Sequence, residues 1–326
     1  MTNQELEWFS ELAADRAESA RVFMKPSNIG VWRAIIDKYS DQAHFIYELL
    51  QNADDAGATK AEFKLDGERL LFKHNGTRRF SITSPKTEAE DFAKGKIGDL
   101  NSITGAGGFS TKLSENANGN AIGKFGVGFK AVFQYTTSPE IYDDNMAFRL
   151  EHYMVPVLIK ADMPWRAKGE TLFVFPLDRG SDNRARAEIW KKLNTLIFPT
   201  LFLNNLQEIK FSDGTTDGEY RIDVRSHCDC KDFEAKKIAA KSKTADGSKV
   251  ETLWLFTRCD ELHNRYCIGY MIDGIGKLKP VDYKAFCYFP TKHDTKLKFM
   301  IHAPFLLNDS RESIKRVNGV IPHGRP

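Results

Sequence analysis

The chain has 326 residues, 41% hydrophobic and 28% charged, with a formal charge of +3 from 47 basic against 44 acidic side chains. That length exceeds one small core, so two domains are expected, and the near balance of charge does not argue for a nucleic-acid or membrane partner. No apolar run approaches the roughly 20 residues that cross a bilayer. The acidic, amphipathic start MTNQELEWFSELAADRAE is unlike a secretory or mitochondrial leader, so a cytoplasmic location is the expectation.

Residues 4–24 read as an amphipathic helix, followed by a short helix over Val31–Tyr39. Asp41 is placed to cap a helix that opens near Ile46 and ends near Gly57. KAEFKLDGERLLFKHNG then alternates apolar and polar residues around Asp66-Gly67, a hairpin signal. A polar stretch to Lys96 leads into IGDLNSI, read as a short helix, and the Gly-, Ser- and Asn-rich run Gly105 to Asn120 into a mobile segment or lid. IGKFGVGFKAVFQY opens a helix; SPEIYD, MAFRLEHY and ETLFVFPL read as strands, and ARAEIWKKLNTLIF as a helix. Pro199 and the following LNN suggest a boundary near 180–205. LQEIKF, EYRIDV, TLWLFTR, YCIGYMI, KAFCYFP and LKFMIHAPF are strand-like, and a final helix is expected from Ser310. The sum is an α+β chain in two domains, 1–200 and 201–326, with the lid at about 104–122.

Two stretches carry chemistry. In IYELLQNADDAG, Ile46, Leu49, Leu50 and Ala53 form an apolar stripe, while Glu48, Asn52 and Asp55 stack on a neighbouring stripe where one ligand could meet all three. A solvated polar face is the plainer alternative. In IGKFGVGF, Gly123, Gly126 and Gly128 precede a helix, a spacing that lets backbone N–H groups approach a phosphate. The context fits neither a dinucleotide fingerprint nor a P-loop. The five cysteines (Cys228, Cys230, Cys259, Cys267 and Cys287) read as reduced thiols. HCDC, with Cys259, His263 and Cys267 downstream, matches no paired-cysteine zinc module well.

Together the two stretches resemble the Bergerat-fold (GHKL) ATPases: ELLQNADDA matches the family's ExxxNxxDA helix, and IGKFGVGFKAVF its glycine motif, in a form most like the sacsin-type branch. The resemblance covers about residues 30–180 and implies a two-layer α/β sandwich ATPase domain followed by a second α/β domain, with ATP and Mg²⁺ as cofactors. It makes Glu48 the general base that positions water, and Asn52 the Mg²⁺ ligand. Asp55 either contacts the nucleotide or lid, or caps structure. Gly123, Gly126, Val127, Gly128 and Phe129 would receive the phosphates, and Lys112 in the lid could touch them. Thr171 resembles the strand threonine that helps hold adenine, although Glu170 separates it from Gly169. In KHNGTRRF, His74 stands where the family has an aspartate that accepts from the adenine amine, with Asn75 and Gly76 following. A neutral imidazole offers one acceptor nitrogen but is no carboxylate, so Asn75 is the substitute to consider.

APFLLNDSRESIK resembles the chaperone middle-domain segment whose arginine reaches the γ-phosphate, which gives Arg311 that role. The leading expectation is a slow, Mg-dependent ATPase module of a larger protein, serving chaperone-like, regulatory or defence work through further domains, protein partners or a nucleotide-dependent homodimer. One alternative is a non-catalytic interaction module that has lost productive nucleotide binding. The other is a DNA-associated ATPase, for which the cluster Arg184, Arg186, Lys191 and Lys192 is short and better read as a solvated face.

Overall fold

The structure, a computed structural model, describes residues 1–28, 30, 45–105, 129–179, 184–262, 264–308 and 312–315. The expected helix at Val31–Tyr39, the Asp41 cap, most of the lid, and Lys112, Gly123, Gly126, Val127, Gly128, His263 and Arg311 lie outside the described residues. The chain divides into two compact units, Met1–Leu193 with Phe211–Thr215, and Asn194–Lys210 with Thr216–Pro326.

In the first unit, helix α1 (Asn3–Phe23) starts at a capping box in which Thr2 and Glu5 satisfy each other's backbone N–H groups. Its inward face carries Phe9, Leu12, Ala20 and the buried Arg16. Arg16 is held by Thr104 Oγ1 at 3.3 Å and by ion pairs to Asp15 and Glu88. Helix α2 (Phe45–Asp55) leads through Gly57, at φ +76°, into the hairpin β1 (Lys60–Asp66) and β2 (Arg69–His74). Asp66 pairs with Arg69, so the two turn residues are Gly67-Glu68 and not Asp66-Gly67. Gly67 alone has positive φ there (+60°), as the first position of a type II′ turn requires. Two short helices, α3 (Glu88–Ala93) and α4 (Asp99–Thr104), follow a single 3-10 turn at Pro85–Thr87. Strands β3 (Glu140–Tyr142), β4 (Ala147–Glu151), β5 (Val155–Leu158) and β6 (Thr171–Pro176) precede helix α5 (Arg184–Asn194), and β7 (Glu208–Ser212) follows it. The order is β1-β2-β6-β3-β4-β5, every pair antiparallel. Phe173 lies at the centre of the core, fully buried, with the rings of Phe72 at 5.8 Å and Phe80 at 6.1 Å.

The second unit is built on a long antiparallel meander of β8 (Asp217–Asp229), β9 (Glu234–Thr244), β10 (Gly247–Cys259) and β11 (Arg265–Ile272). Strand β14 (Met300–His302) pairs with β11, β12 (Lys284–Cys287) runs parallel to β14, and β13 (Phe289–Asp294) folds back on β12. Leu201, Phe202, Leu253, Leu255, Phe286 and Met300 form part of its core. His302 stacks on Phe202 at 4.9 Å, and burial pushes its imidazole down to about 3.

Three expectations are corrected. The Bergerat-type two-layer α/β sandwich, with its second α/β domain, is not the architecture. A fourteen-stranded mixed sheet dominates, 35% of the described residues being strand against 24% helix. The physical reason is visible in β8 to β11, where consecutive strands pair antiparallel and so need no helical crossover. The segment Phe129–Gln134, expected within an α-helix, is a 3-10 helix with Phe129, Lys130, Ala131, Val132 and Phe133 all buried, so it has no polar face. The final helix is absent at 312–315. There Ile314 bridges Leu307, and the Asn308 side chain accepts from the Glu312 and Ser313 N–H groups at 3.1 Å, closing a turn. Among the described residues no helix is long and apolar enough to cross a membrane.

Phe173→Ala should cost about 3–5 kcal/mol of unfolding free energy, read from urea denaturation, because an aromatic side chain with no exposure leaves a cavity on truncation.

Candidate functional site

Helix α2 answers the question its sequence raises. Its apolar stripe is buried, with Ile46, Leu49, Leu50 and Ala53 no more than 1% exposed. The polar stripe is buried too, Glu48 at 5% and Asn52 at 6%, so it is not a solvated face. Asp55, three residues on from Asn52, is half-buried at the helix end. The Asn52 carboxamide makes no hydrogen bond to any described residue. Glu48, Asn52 and Ala56 follow one another at intervals of four residues and so share a row, about 6 Å per step.

The turn after β2 is tied to the end of that helix. The Ala56 carbonyl accepts from Thr77 N at 2.9 Å and from Arg78 N at 3.2 Å. Gly76 is required by this approach: a Cβ there would stand 2.8 Å from Ala56 Cβ and 2.9 Å from His74 Nδ1. Asn75 is already committed. Its Oδ1 accepts from Thr59 N and Lys60 N at 2.9 Å, and its Nδ2 donates to Thr59 Oγ1 at 3.0 Å, which fixes the entry into β1. Its carboxamide is therefore spent on the fold.

His74 ends β2 directly opposite Thr171, the first residue of β6. Both are buried, at 3% and 1% exposure. Gly76 N donates to His74 Nδ1 at 3.1 Å, and that leaves the ring proton of the neutral imidazole on Nε2. Burial, with Arg79 and Arg78 adding repulsion, pushes the imidazole down to about 3, so it is uncharged near neutral pH.

Beside His74 opens a small cleft lined by Ala56, His74, Arg78, Arg79, Phe80, Asp99 and Thr171. Arg79 spans it: Nη1 donates to the Gly76 carbonyl at 2.9 Å and to Thr171 Oγ1 at 3.5 Å, and Nη2 to the Gly169 carbonyl at 2.9 Å. Asp144 faces the same guanidinium at 3.9 Å, pairs with Arg166 at 2.7 Å and accepts from Gly169 N at 3.0 Å. Arg166, with smaller help from Gly169 N and Arg79, holds the Asp144 carboxyl below its usual range. The neighbouring Asp143 is shifted the other way by burial, although Phe80 N donates to it at 2.6 Å.

The structure thus brings together His74, Gly76 and Thr171, and sets Asn52 and Glu48 along the helix row that reaches the cleft at Ala56. Phe129 belongs to the core: its ring packs at 6.2 Å from Phe173 and 6.3 Å from Phe175, only 1% exposed. Sequence reasoning missed Arg78, Arg79 and Asp99. The arginine pair directly after HNGT was the available signal for the first two; nothing local marks Asp99, which reaches the cleft from helix α4. Lys130, next to the glycine motif, is 2% exposed and donates to the Gly105 carbonyl, and burial pushes its amine down to about 7.

The cysteines form no zinc set among the described residues. Cys228 and Cys230 lie 3.7 Å apart on the surface, Cys259 is exposed, and Cys267 is buried against Thr257 Oγ1 at 3.5 Å. His227, Asp229 and Glu234 bring potential ligand atoms within 4.8 Å of one another, at a hairpin end where Lys236 also pairs with Glu234.

Residues 29–150, which hold the helix motif, the HNG turn and the glycine motif, match the family model described as the Sacsin domain. Over 306 residues the chain is 23% identical to Protein NO VEIN of Arabidopsis thaliana. That alignment covers 85% of this chain but 10% of the plant protein, so the chain spans about a tenth of that relative's length.

The His74 imidazole takes up its proton at about pH 3 when folded against 6.5 as an ordinary histidine, so the unfolded chain binds more protons across that window. Stability from this group is full above pH 6.5 and is lost as pH falls towards 3. His302 behaves alike, so the measurement is a comparison: the stability gap between the parent and His74→Gln in urea should shift towards the variant on going from pH 7 to pH 4. Gly76→Ala should destabilise by about 1–3 kcal/mol in the same assay, since the Ala56 backbone cannot yield to an added methyl.

Proposed function

We propose that the first unit is a nucleotide-binding module of a larger protein, taking a Mg²⁺-bound nucleoside triphosphate and hydrolysing it slowly. One observation carries the reading: Glu48 and Asn52, a carboxylate and an amide one turn apart, are both buried, at 5% and 6% exposure, on a helix row that leads to the cleft at Ala56. The same helix row reaches the cleft beside His74 and Thr171 roughly 12 Å from Glu48, a span that suits a base at one end and phosphates at the other.

In this reading the Asn52 side-chain oxygen holds Mg²⁺, for which a neutral amide oxygen is a suitable hard ligand. The ion, when bound, neutralises charge on the phosphate oxygens. Glu48 orients the water, and its burial at 5% exposure keeps competing solvent away from the carboxylate. Gly123, Gly126, Val127 and Gly128 would supply backbone donors to the phosphates, and Lys112 a cation. The sacsin-domain match and the much longer plant relative support the role of one module among others, with the work done by nucleotide turnover, chaperone-like, regulatory or defensive, residing in the whole protein or in a homodimer.

A second reading has a specific observation behind it. Arg79 already satisfies three backbone and side-chain acceptors across the cleft, as a module that only binds protein partners would permit. Calorimetric titration separates the two. Mg-ATP and Mg-GTP should give saturable binding to the parent for at least one nucleotide, weakened at least about tenfold in Asn52→Ala, a loss of roughly 1.4 kcal/mol. Glu48→Ala should keep binding and lower turnover at least about a hundredfold. Absence of binding at millimolar concentrations of both nucleotides would leave the interaction module as the function.

A further inference from the structure

We infer that the open face of the β8–β11 sheet binds single-stranded nucleic acid, its aromatic rings stacking on bases while the cations around them take the phosphates. The inference concerns the second unit alone and is independent of the nucleotide-binding reading.

The two faces of that sheet differ in kind. Leu253 and Leu255 on β10, with Cys267 and Met271 on β11, point into the core of the unit. The residues that alternate with them, Trp254, Phe256, Ile268 and Tyr270, belong to the opposite face. An antiparallel sheet with one face in water ordinarily carries polar residues there. Here Trp254 stands directly across from Tyr270, and Phe256 from Ile268. The rings touch in series: Phe233 to Phe256 at 5.9 Å, Phe256 to Trp254 at 6.3 Å and to Tyr270 at 6.1 Å, and Tyr270 to Phe299 at 5.1 Å. The patch is open to solvent. Phe233 is 42% exposed and Ile268 41%, while Trp254, Phe256, Tyr270 and Phe299 are half-buried. A contiguous exposed patch of this kind marks an interaction site.

Charge decides what kind. The chain as a whole is close to neutral, but its charges are segregated on this sheet. Over the paired residues of β8 to β11, the aromatic face carries Arg221, Lys237, Lys241, Lys243 and Arg258 against Glu219 and Asp223. Lys237 lies directly opposite Trp254, and Arg258 opposite Tyr266, so cations stand on two sides of the rings. Asp223 is shared by Lys241 at 2.6 Å and Arg221 at 2.8 Å. An apolar protein segment would cover the rings and leave the excess of cations unmatched. A single strand offers both a base with a π-face and a phosphate in every unit, the pairing of groups that sequence-tolerant single-strand binders use. A duplex offers the phosphates but keeps its base faces stacked on one another, out of reach of the rings.

The experiment is fluorescence anisotropy of the full chain titrated into labelled oligothymidylate and oligouridylate of about 12 nucleotides, and into a duplex of the same length. The better single strand should bind at least about tenfold tighter than the duplex, and its affinity should fall steeply as salt rises from about 50 to 200 mM. Trp254→Ala should weaken it at least about fivefold at fixed salt and leave the salt slope unchanged. Lys237→Ala and Arg258→Ala should each lower that slope by about 0.7, the share of one single-strand phosphate. The tighter of the two single strands identifies the sugar. Should Trp254→Ala not fold, Phe233→Ala removes an exposed ring of the same series and is read in its place. Duplex bound as tightly as single strand, or binding indifferent to loss of a ring, would overturn the inference. So would the absence of single-strand binding at about 50 mM salt, which would leave this face to a protein partner.

Discussion

One hydrogen bond, from the Gly76 N–H to Nδ1 of His74, sets the character of the cleft. It satisfies a buried ring nitrogen at the end of β2, fixes the tautomer, and draws the chain into a turn tight enough to seat against Ala56. Everything around it follows from close approach. The Ala56 carbonyl caps the next two N–H groups of the turn, so the end of α2 and the end of β2 are held as one piece. The imidazole is then wedged against Phe72 and Phe173, where burial keeps it uncharged.

Arg79 extends that piece to β6. Its contacts with Gly76, Gly169 and Thr171 cross from the turn to residues about ninety positions away, and Asp144 and Arg166 brace them from outside. A charged side chain is tolerated there because its N–H groups donate to the Gly76 and Gly169 carbonyls and the Thr171 hydroxyl, with the Asp144 carboxylate nearby. The cleft wall thus carries two guanidiniums, Arg78 and Arg79, each facing a carboxylate, Asp99 and Asp144. Helix α2 presents a contrasting surface, a row of amide and carboxylate groups buried along its length.

The second unit obeys a different constraint. Strands β8, β9 and β10 are long and join through short hairpins, and outer residues of their burial patterns are exposed over much of that length. Stability concentrates where β10, β11 and β14 meet the buried Phe202 and His302, whose stacked rings replace one another's lost hydration with dispersion contact. The Cys228-Asp229-Cys230 tip lies far along a hairpin from that core, which is why its thiols remain exposed.

Local physics made several features readable from the sequence. The capped α1, the four-residue periodicity of α2 and the β1–β2 alternation depend on neighbours within a turn or a hairpin, and each forms close to where the pattern predicts, the hairpin turn lying one residue later at Gly67-Glu68. His74 and Thr171 were named through the family resemblance of their motifs, and the fold sets them opposite one another at the ends of β2 and β6. Strand β9, with its lysine-rich EAKKIAAKSKT, was missed because its strand character comes from pairing with β8 and β10 on both sides and not from its own propensity. Only the tertiary structure decided which polar groups remain free to meet a ligand. The Asn75 amide looked available until Thr59 and Lys60 claimed it, and Arg79 carried no signal beyond its place after HNGT until Gly169 and Thr171 came alongside. Hydrogen-bond supply and demand is settled between residues distant in sequence, so a motif can name the candidates for a site, but the fold assigns their partners.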